Sequence, residues 1–264
     1  MSLITVCACL FSSSTLFAQS QPQTKISVTN KESLYFTFGW HRVHYTNSTI
    51  HFRDGKNYDF RLIKAGAIDD NDIYIANSVE TPQYSARIGY FFKPDIGIEI
   101  NFDHTKYILK QGQRVRLRGS IDGVHYDKDT MLTPSFISYE HTDGANYWMI
   151  NFVKRKQLVK SKNGKHELSL VIKPGAGLVT PRTESTIMGK HRNDRYHVSG
   201  YVAGVETGLR QSFFKNFLAE LTIKGVYANY SDVLLYGSGR ANQQWWSFQY
   251  LFLIGYQLNV GNKK

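Results

Sequence analysis

Thiol chemistry is almost missing from this chain. Its 264 residues hold two cysteines, Cys7 and Cys9, both inside the first apolar segment. Proline is scarce at 6, and no run of about twenty apolar residues occurs, so helical membrane spans are excluded. Mean hydropathy is negative although 42% of residues are hydrophobic. Aromatic residues and glycine are abundant instead: 17 Tyr, 16 Phe and 21 Gly. Alternation of lipid-facing apolar with lumen-facing polar residues produces this combination, because the inward row dilutes the hydropathy of the outward one.

The two cysteines belong to a segment running from Leu3 through Phe11 to Ala18, followed by Ser12-Ser13-Ser14 and Ala18-Gln19-Ser20. An apolar stretch ending in small residues predicts a secretory signal peptide over 1–20. No Lys or Arg precedes the apolar core, a departure from the signal-peptide pattern that a natural start upstream of Met1 would explain. Cleavage removes both thiols, so neither disulfides nor thiolate metal sites are expected, and no cofactor is expected. The 32 Lys and Arg against 21 Asp and Glu give a net charge of +11. For an exported chain this balance argues against nucleic acid and for lipopolysaccharide phosphates as partners of basic loops.

Residues 241–260 carry the clearest periodicity. Trp246, Phe248, Tyr250, Phe252, Ile254, Tyr256, Leu258 and Val260 alternate with a smaller, more polar row. Period two predicts a strand with one apolar face. Its length and its aromatics at both ends match a strand crossing a bilayer, with Trp245 and Trp246 at the outer interface. Similar alternation recurs at 34–41, 84–92, 96–103, 147–152, 167–173, 201–210 and 217–224. Short connections (93–95, 160–165, 213–216) alternate with long ones (46–82, 110–144, 181–194, 231–243).

The predicted fold class is therefore all-β: a single antiparallel transmembrane β-barrel of about eight strands with long external loops. Ten or twelve strands would follow if Tyr58 to Ala65, Arg114 to Ser120 or Ser135 to Glu140 also spanned. The domain reading is a signal peptide (1–20), a periplasmic segment (21–32), the barrel (33–260) and a periplasmic tail (261–264).

The inward row collects Arg87, Glu99, Asp103, Lys173, Glu206, Arg210, Glu220 and Lys224, with Asn101, Asn151 and Glu167 beside them. An eight-stranded barrel is just wide enough for its side chains to fill, so these charges are expected to pair across a plugged lumen. Candidate chemistry lies higher, where His41, His44, His104 and His141 sit near outer strand ends, with Asp103 beside His104 and Asp143 close to His141. Clustered imidazoles and carboxylates suit acid–base work or a divalent metal. No pair falls in a recognised ligand spacing, so no metal site is assigned. His51, His125, His191 and His197 fall in or beside external loops.

Ile50-His51-Phe52 with Tyr58-Asp59-Phe60, Arg87-Ile88-Gly89-Tyr90, Asp103-His104 with Lys106-Tyr107, and Glu140-His141-Thr142-Asp143-Gly144 with Asn146-Tyr147 together resemble a largely uncharacterised group of small bacterial outer-membrane β-barrel proteins. The resemblance covers roughly 34–152 and implies fold and location, with no activity attached. His44-Tyr45-Thr46-Asn47-Ser48 is similar to the His-x-Ser segment of outer-membrane lipid A deacylases, with Thr46 at the serine position. The expected function is a non-enzymatic structural or surface-interaction role. A lipid A acyl hydrolase-like enzyme using the rim histidines is the second reading and a narrow pore the third. Expected partners are outer-membrane lipid, lipopolysaccharide and the barrel-assembly machinery.

Overall fold

A computed structural model describes residues 32–55, 57–70, 82–193 and 195–260. The expected signal peptide, nearly all of segment 21–32 and the tail 261–264 lie outside the described residues. In chain order the strands are β1 (Ser33–Tyr45), β2 (Ser48–Asp54), β3 (Tyr58–Ala65), β4 (Ala67–Ile68), β5 (Tyr84–Lys93), β6 (Ile96–His104), β7 (Tyr107–Leu109), β8 (Arg114–Ile121) and β9 (Val124–Met131). They continue as β10 (Ile137–His141), β11 (Ala145–Lys160), β12 (Glu167–Pro181), β13 (Glu184–Ile187), β14 (Lys190–Asn193), β15 (Gly200–Phe213), β16 (Phe217–Leu234) and β17 (Arg240–Asn259).

Eight of these strands form a ring in the order β1-β5-β6-β11-β12-β15-β16-β17. The last pairs antiparallel with the first along its whole length, from Ser33 opposite Asn259 to Tyr45 opposite Ser247. Closure leaves no edge in the spanning region, the only sheet arrangement that satisfies every backbone group in hydrocarbon. The burial of β1 and of most of β17 alternates strictly, as period-two side-chain direction requires. Outward faces carry Ile88, Ile100, Ile150, Ile172, Leu221 and Ile254, all exposed. Aromatics ring both ends of this apolar band: Trp40, Trp148, Tyr201 and Trp246 at one, Phe213, Phe217 and Tyr256 at the other. The fold is a transmembrane β-barrel.

The lumen is filled in two layers. Toward the short turns, Lys173 Nζ lies 2.9 Å from carboxylate oxygens of both Glu99 and Glu220 and 3.4 Å from Glu206. Arg87 lies 2.5 Å from Glu206 and 4.0 Å from Glu99. Arg210 reaches Glu220 at 2.7 Å, and Lys224 reaches Asp103 at 2.5 Å. Four cations thus meet four carboxylates, all buried, so the layer carries no net charge. Tyr35 crosses this layer: its hydroxyl donates to Glu99 at 2.8 Å, and Arg210 lies 4.1 Å over its ring. The ring occupies the space above Gly89, where a Cβ would sit 2.2 Å from it. Glu167 stands apart at the short-turn mouth, half-buried and 3.5 Å from Lys160.

Above the charges the inward row turns aromatic. Trp245 stacks on Tyr230 at 4.4 Å and on Tyr107 at 4.8 Å between ring centres. This corrects the expected position of Trp245 at the outer interface. Being adjacent to the outward Trp246, it must face the opposite side of its strand, and it is 2% exposed.

The long connections fold into a head rather than loops. β2, β3, β8 and β9 extend in sequence from the top of β17, and β14-β13-β10-β7-β4 form a second sheet. Phe52, Phe60, Leu117, Ile137 and Tyr139 from these sheets share one core with Tyr147, Val226, Tyr230 and Trp245 of the barrel. The expected loop 231–243 is mostly strand, since Val233 pairs with Ala241 and Leu234 with Arg240. Burial of Val233, Leu235 and Ala241 in the head core favours that extension over a solvated loop.

Removing one partner from a neutral buried charge layer leaves an uncompensated charge, which costs about 3 kcal/mol or more. Lys173→Met should therefore lower the urea midpoint for loss of the fast-migrating, unboiled gel form. Lys173→Met combined with Glu220→Gln removes one charge of each sign and should regain much of that loss.

Candidate functional site

The four rim histidines occupy four different environments. His41 lies in the lumen, 4% exposed. Its Nδ1 is 3.1 Å from Ser85 Oγ, which donates to Asp103 Oδ1 at 2.7 Å. These are the residue types of a nucleophilic triad, but in the wrong order. A triad places His between carboxylate and hydroxyl; here the serine lies between, and Asp103 is held by Lys224. The cluster is sealed in the barrel interior and is a polar layer joining charges below to aromatics above.

His44 is exposed on the outer wall, beside a small cleft of about 330 Å³ that it lines with Asp69 and Ile68. Thr46, two residues on, donates its hydroxyl to the Trp246 carbonyl at 3.1 Å. It therefore serves the strand pairing and is not hydrogen-bonded to His44. His141 is buried in the head core, stacked on Tyr230 at 5.4 Å and 3.0 Å from Thr183 Oγ1 through Nδ1. Asp143 is exposed and lies 3.3 Å from Arg182, so the His141–Asp143 neighbourhood read from sequence splits between core and surface.

His104 differs from these. It follows the inward Asp103 and so points outward, yet it is only 7% exposed. Its ring stacks on Tyr84 at 5.0 Å, and Nδ1 lies 2.9 Å from Asn146 Oδ1. It lines a cleft of about 920 Å³ at the outer rim. The membrane-side wall is Tyr84, Phe102 and Trp148, packed as a continuous aromatic patch with Phe102 and Trp148 centroids 4.5 Å apart. The opposite wall belongs to the head: Glu140, Thr142, Asp143 and Tyr196, with the Lys106–Asp70 ion pair at 2.7 Å.

Local sequence builds this wall. Gly144 turns the chain at φ +124, a conformation side chains rarely adopt, and lets Asp143 face out while Ala145 and Asn146 begin β11. Tyr196 is fixed by its hydroxyl donating to the Asp143 carbonyl at 3.0 Å. Burial, together with the neighbouring Glu184, raises the Glu140 carboxyl above its ordinary range. The cleft thus grades from aromatic at membrane level to carboxylate-rich above. Tyr196 and the cleft role of Glu140 were not legible beforehand, because β10 and the segment before β15 meet only through tertiary packing. Among the described residues no group of three or more His, Cys, Asp or Glu is arranged to hold a metal ion.

Cations at the head end are widely ion-paired: Arg116 and Arg118 with Asp127, Arg42 with Asp69, and Arg240 with Asp232. Exposed Lys156, Lys160, Lys162, Lys165 and Lys215 crowd the short-turn end, where Lys160 lies 3.5 Å from Glu167.

No family model and no curated protein sequence matches the chain. Several solved outer-membrane barrels are similar in fold. OprG from Pseudomonas aeruginosa is 10% identical with a TM-score of 0.41, covering 88% of this chain and 98% of that one. Ail of Yersinia pestis is 12% identical with a TM-score of 0.31, covering 87% and 99%. The N-terminal β-barrel domain of Pseudomonas aeruginosa OprF is 12% identical with a TM-score of 0.32, covering 87% and 98%. None shares enough sequence to lend a residue role.

Burial pushes the His141 imidazole down from 6.5 to about 3, so the folded head holds it neutral while the unfolded chain protonates it. Its contribution is complete above pH 6.5 and is lost as pH falls toward 3, at up to about 1.4 kcal/mol per pH unit. The urea midpoint should fall on acidification below about pH 6, and less steeply in His141→Phe, which keeps the stack on Tyr230.

Proposed function

We propose that this protein is an integral component of a bacterial outer membrane. Its plugged barrel anchors a packed β-sheet head at the cell surface, for a structural or surface-binding role. The observation that carries this reading is the continuity of the fill. A neutral layer of four cation–carboxylate sets lies below an aromatic layer, and that layer is also the core of the head. Passage through the lumen would require dispersing both. In this reading the surfaces of the head are what the barrel presents.

Two further features support the anchor. The apolar band with aromatic rims suits a bilayer, and the folded connections all emerge at one end, as external loops of such barrels do. The exposed short-turn lysines would face inner-leaflet phosphates, and exposed Arg53, Arg61 and Lys110 of the head would face lipopolysaccharide phosphates. The enzyme reading loses support from the scattered histidines and from the serine lying between His41 and Asp103. The barrel-assembly machinery is the expected route of insertion.

Planar bilayers carrying the purified protein should show no discrete conductance steps. Regular steps that survive detergent controls would overturn the plugged anchor. On intact cells, a protease-accessible tag inserted between Asp122 and Gly123, in the β8–β9 turn, should be cleaved, whereas one in the 161–166 turn should be protected.

A further inference from the structure

We propose that the rim cleft bounded by Phe102, Trp148, His104, Glu140 and Tyr196 is a binding site for the unphosphorylated sugar headgroup of an outer-leaflet glycolipid. One acyl chain would lie on the aromatic patch below. The inference rests on the outer-membrane reading above and deepens it by naming the lipid class and the residues that take it.

The argument starts from position. Phe102 and Trp148 lie opposite one another across β6 and β11 on the outward row, so the cleft opens directly onto the lipid-facing wall. An acyl chain along Ile100 and Ile150, 53% and 66% exposed, reaches the Phe102–Trp148 patch without leaving apolar surface. A headgroup attached to that chain arrives between Trp148 and the head. Volume agrees, since about 920 Å³ accommodates a sugar ring with its first acyl carbons.

Chemistry then selects the headgroup. Aromatic faces at Trp148 and Tyr196, roughly half exposed, offer flat surfaces for the C–H side of a sugar ring. Hydroxyl groups at the ring edge need acceptors, and Glu140, Asp143 and the Thr142 hydroxyl provide them. His104 Nε2 is buried with no protein partner and borders the cleft, which adds a polar group for a ligand hydroxyl. A phosphate headgroup fits poorly. It would meet the Glu140 and Asp143 carboxylates, while Lys106 of the lining faces Asp70 and Arg182, next to the cleft, faces Asp143.

Native mass spectrometry of the full protein released from nanodiscs tests the assignment. The probes are phosphatidylcholine nanodiscs doped with either glucosyl diacylglycerol or phosphatidylglycerol. One glucosyl diacylglycerol should be retained per protein, at least about tenfold more than phosphatidylglycerol. Glu140→Gln and Trp148→Leu should each cut that retention about tenfold, while Leu221→Ala, on the far wall, should leave it unchanged. Equal retention of the two lipids would overturn the proposal, and so would retention unaffected by both cleft variants. Displacement by free methyl glucoside as effectively as by lipid would mark a soluble-sugar site and overturn it too. Each variant is checked by its heat-shifted gel band. A wild-type chain lacking that band would overturn the anchor reading itself, a failure distinguishable from loss of headgroup preference alone.

Discussion

A peptide group facing hydrocarbon has no water to bond, and each unsatisfied N–H or C=O there costs several kcal/mol. Everything else in this molecule follows from the way one sheet meets that demand by pairing its last strand with its first. Once β17 lies along β1 from Ser33 to Tyr45, each of the eight ring strands has two neighbours and its side chains within the membrane must face lipid or lumen. Eight strands make a lumen only as wide as its side chains. The inward row must therefore be self-neutralising, and the four-against-four charge layer meets that requirement.

The same constraint explains where the structure becomes irregular. A bilayer needs about ten residues per strand, but β16 and β17 run for 18 and 20. The surplus stands above the membrane, where water again satisfies backbone groups and a sheet edge is tolerated. There β2, β3, β8 and β9 attach to β17, and the second sheet folds over the opposite rim. Ile108 and Glu140 of that sheet line the cleft together with His104. The large cleft thus lies at the rim, while the described lumen positions hold the charge layer and the aromatic layer.

Much of the barrel was legible from alternation alone. The apolar row from Trp246 to Leu258 is exposed as expected, and Gln249 and Gln257 beside it are buried. That legibility has a simple cause: a strand in contact with lipid records its environment residue by residue, with no tertiary partner to blur the pattern. Trp245 shows the limit. Composition suggests a girdle residue, and only strict parity along the strand sends it inward to Tyr230 and Tyr107. The head was less legible, since Phe52, Phe60 and Tyr139 sit in connections whose pairing is set by contacts far apart in sequence.

The candidate site divides along the same line. Sequence by itself determined the alternation and the facing of the strands and pointed to about eight of them, with ten or twelve left open, because facing depends on periodicity alone; which stretches span, and which inward charges meet, was settled by strand pairing. It also marked His41, His44, His104 and His141 as rim residues. Only tertiary structure decided that they do not converge. His41 is committed to Ser85, His141 to an aromatic stack and His44 to the outer wall, while His104 alone borders the large cleft. The physical reason is that parity separates neighbours such as Asp103 and His104 onto opposite faces. What then assembles beside His104 comes from β10, β11 and the segment before β15, brought together by the packing of the head on the rim.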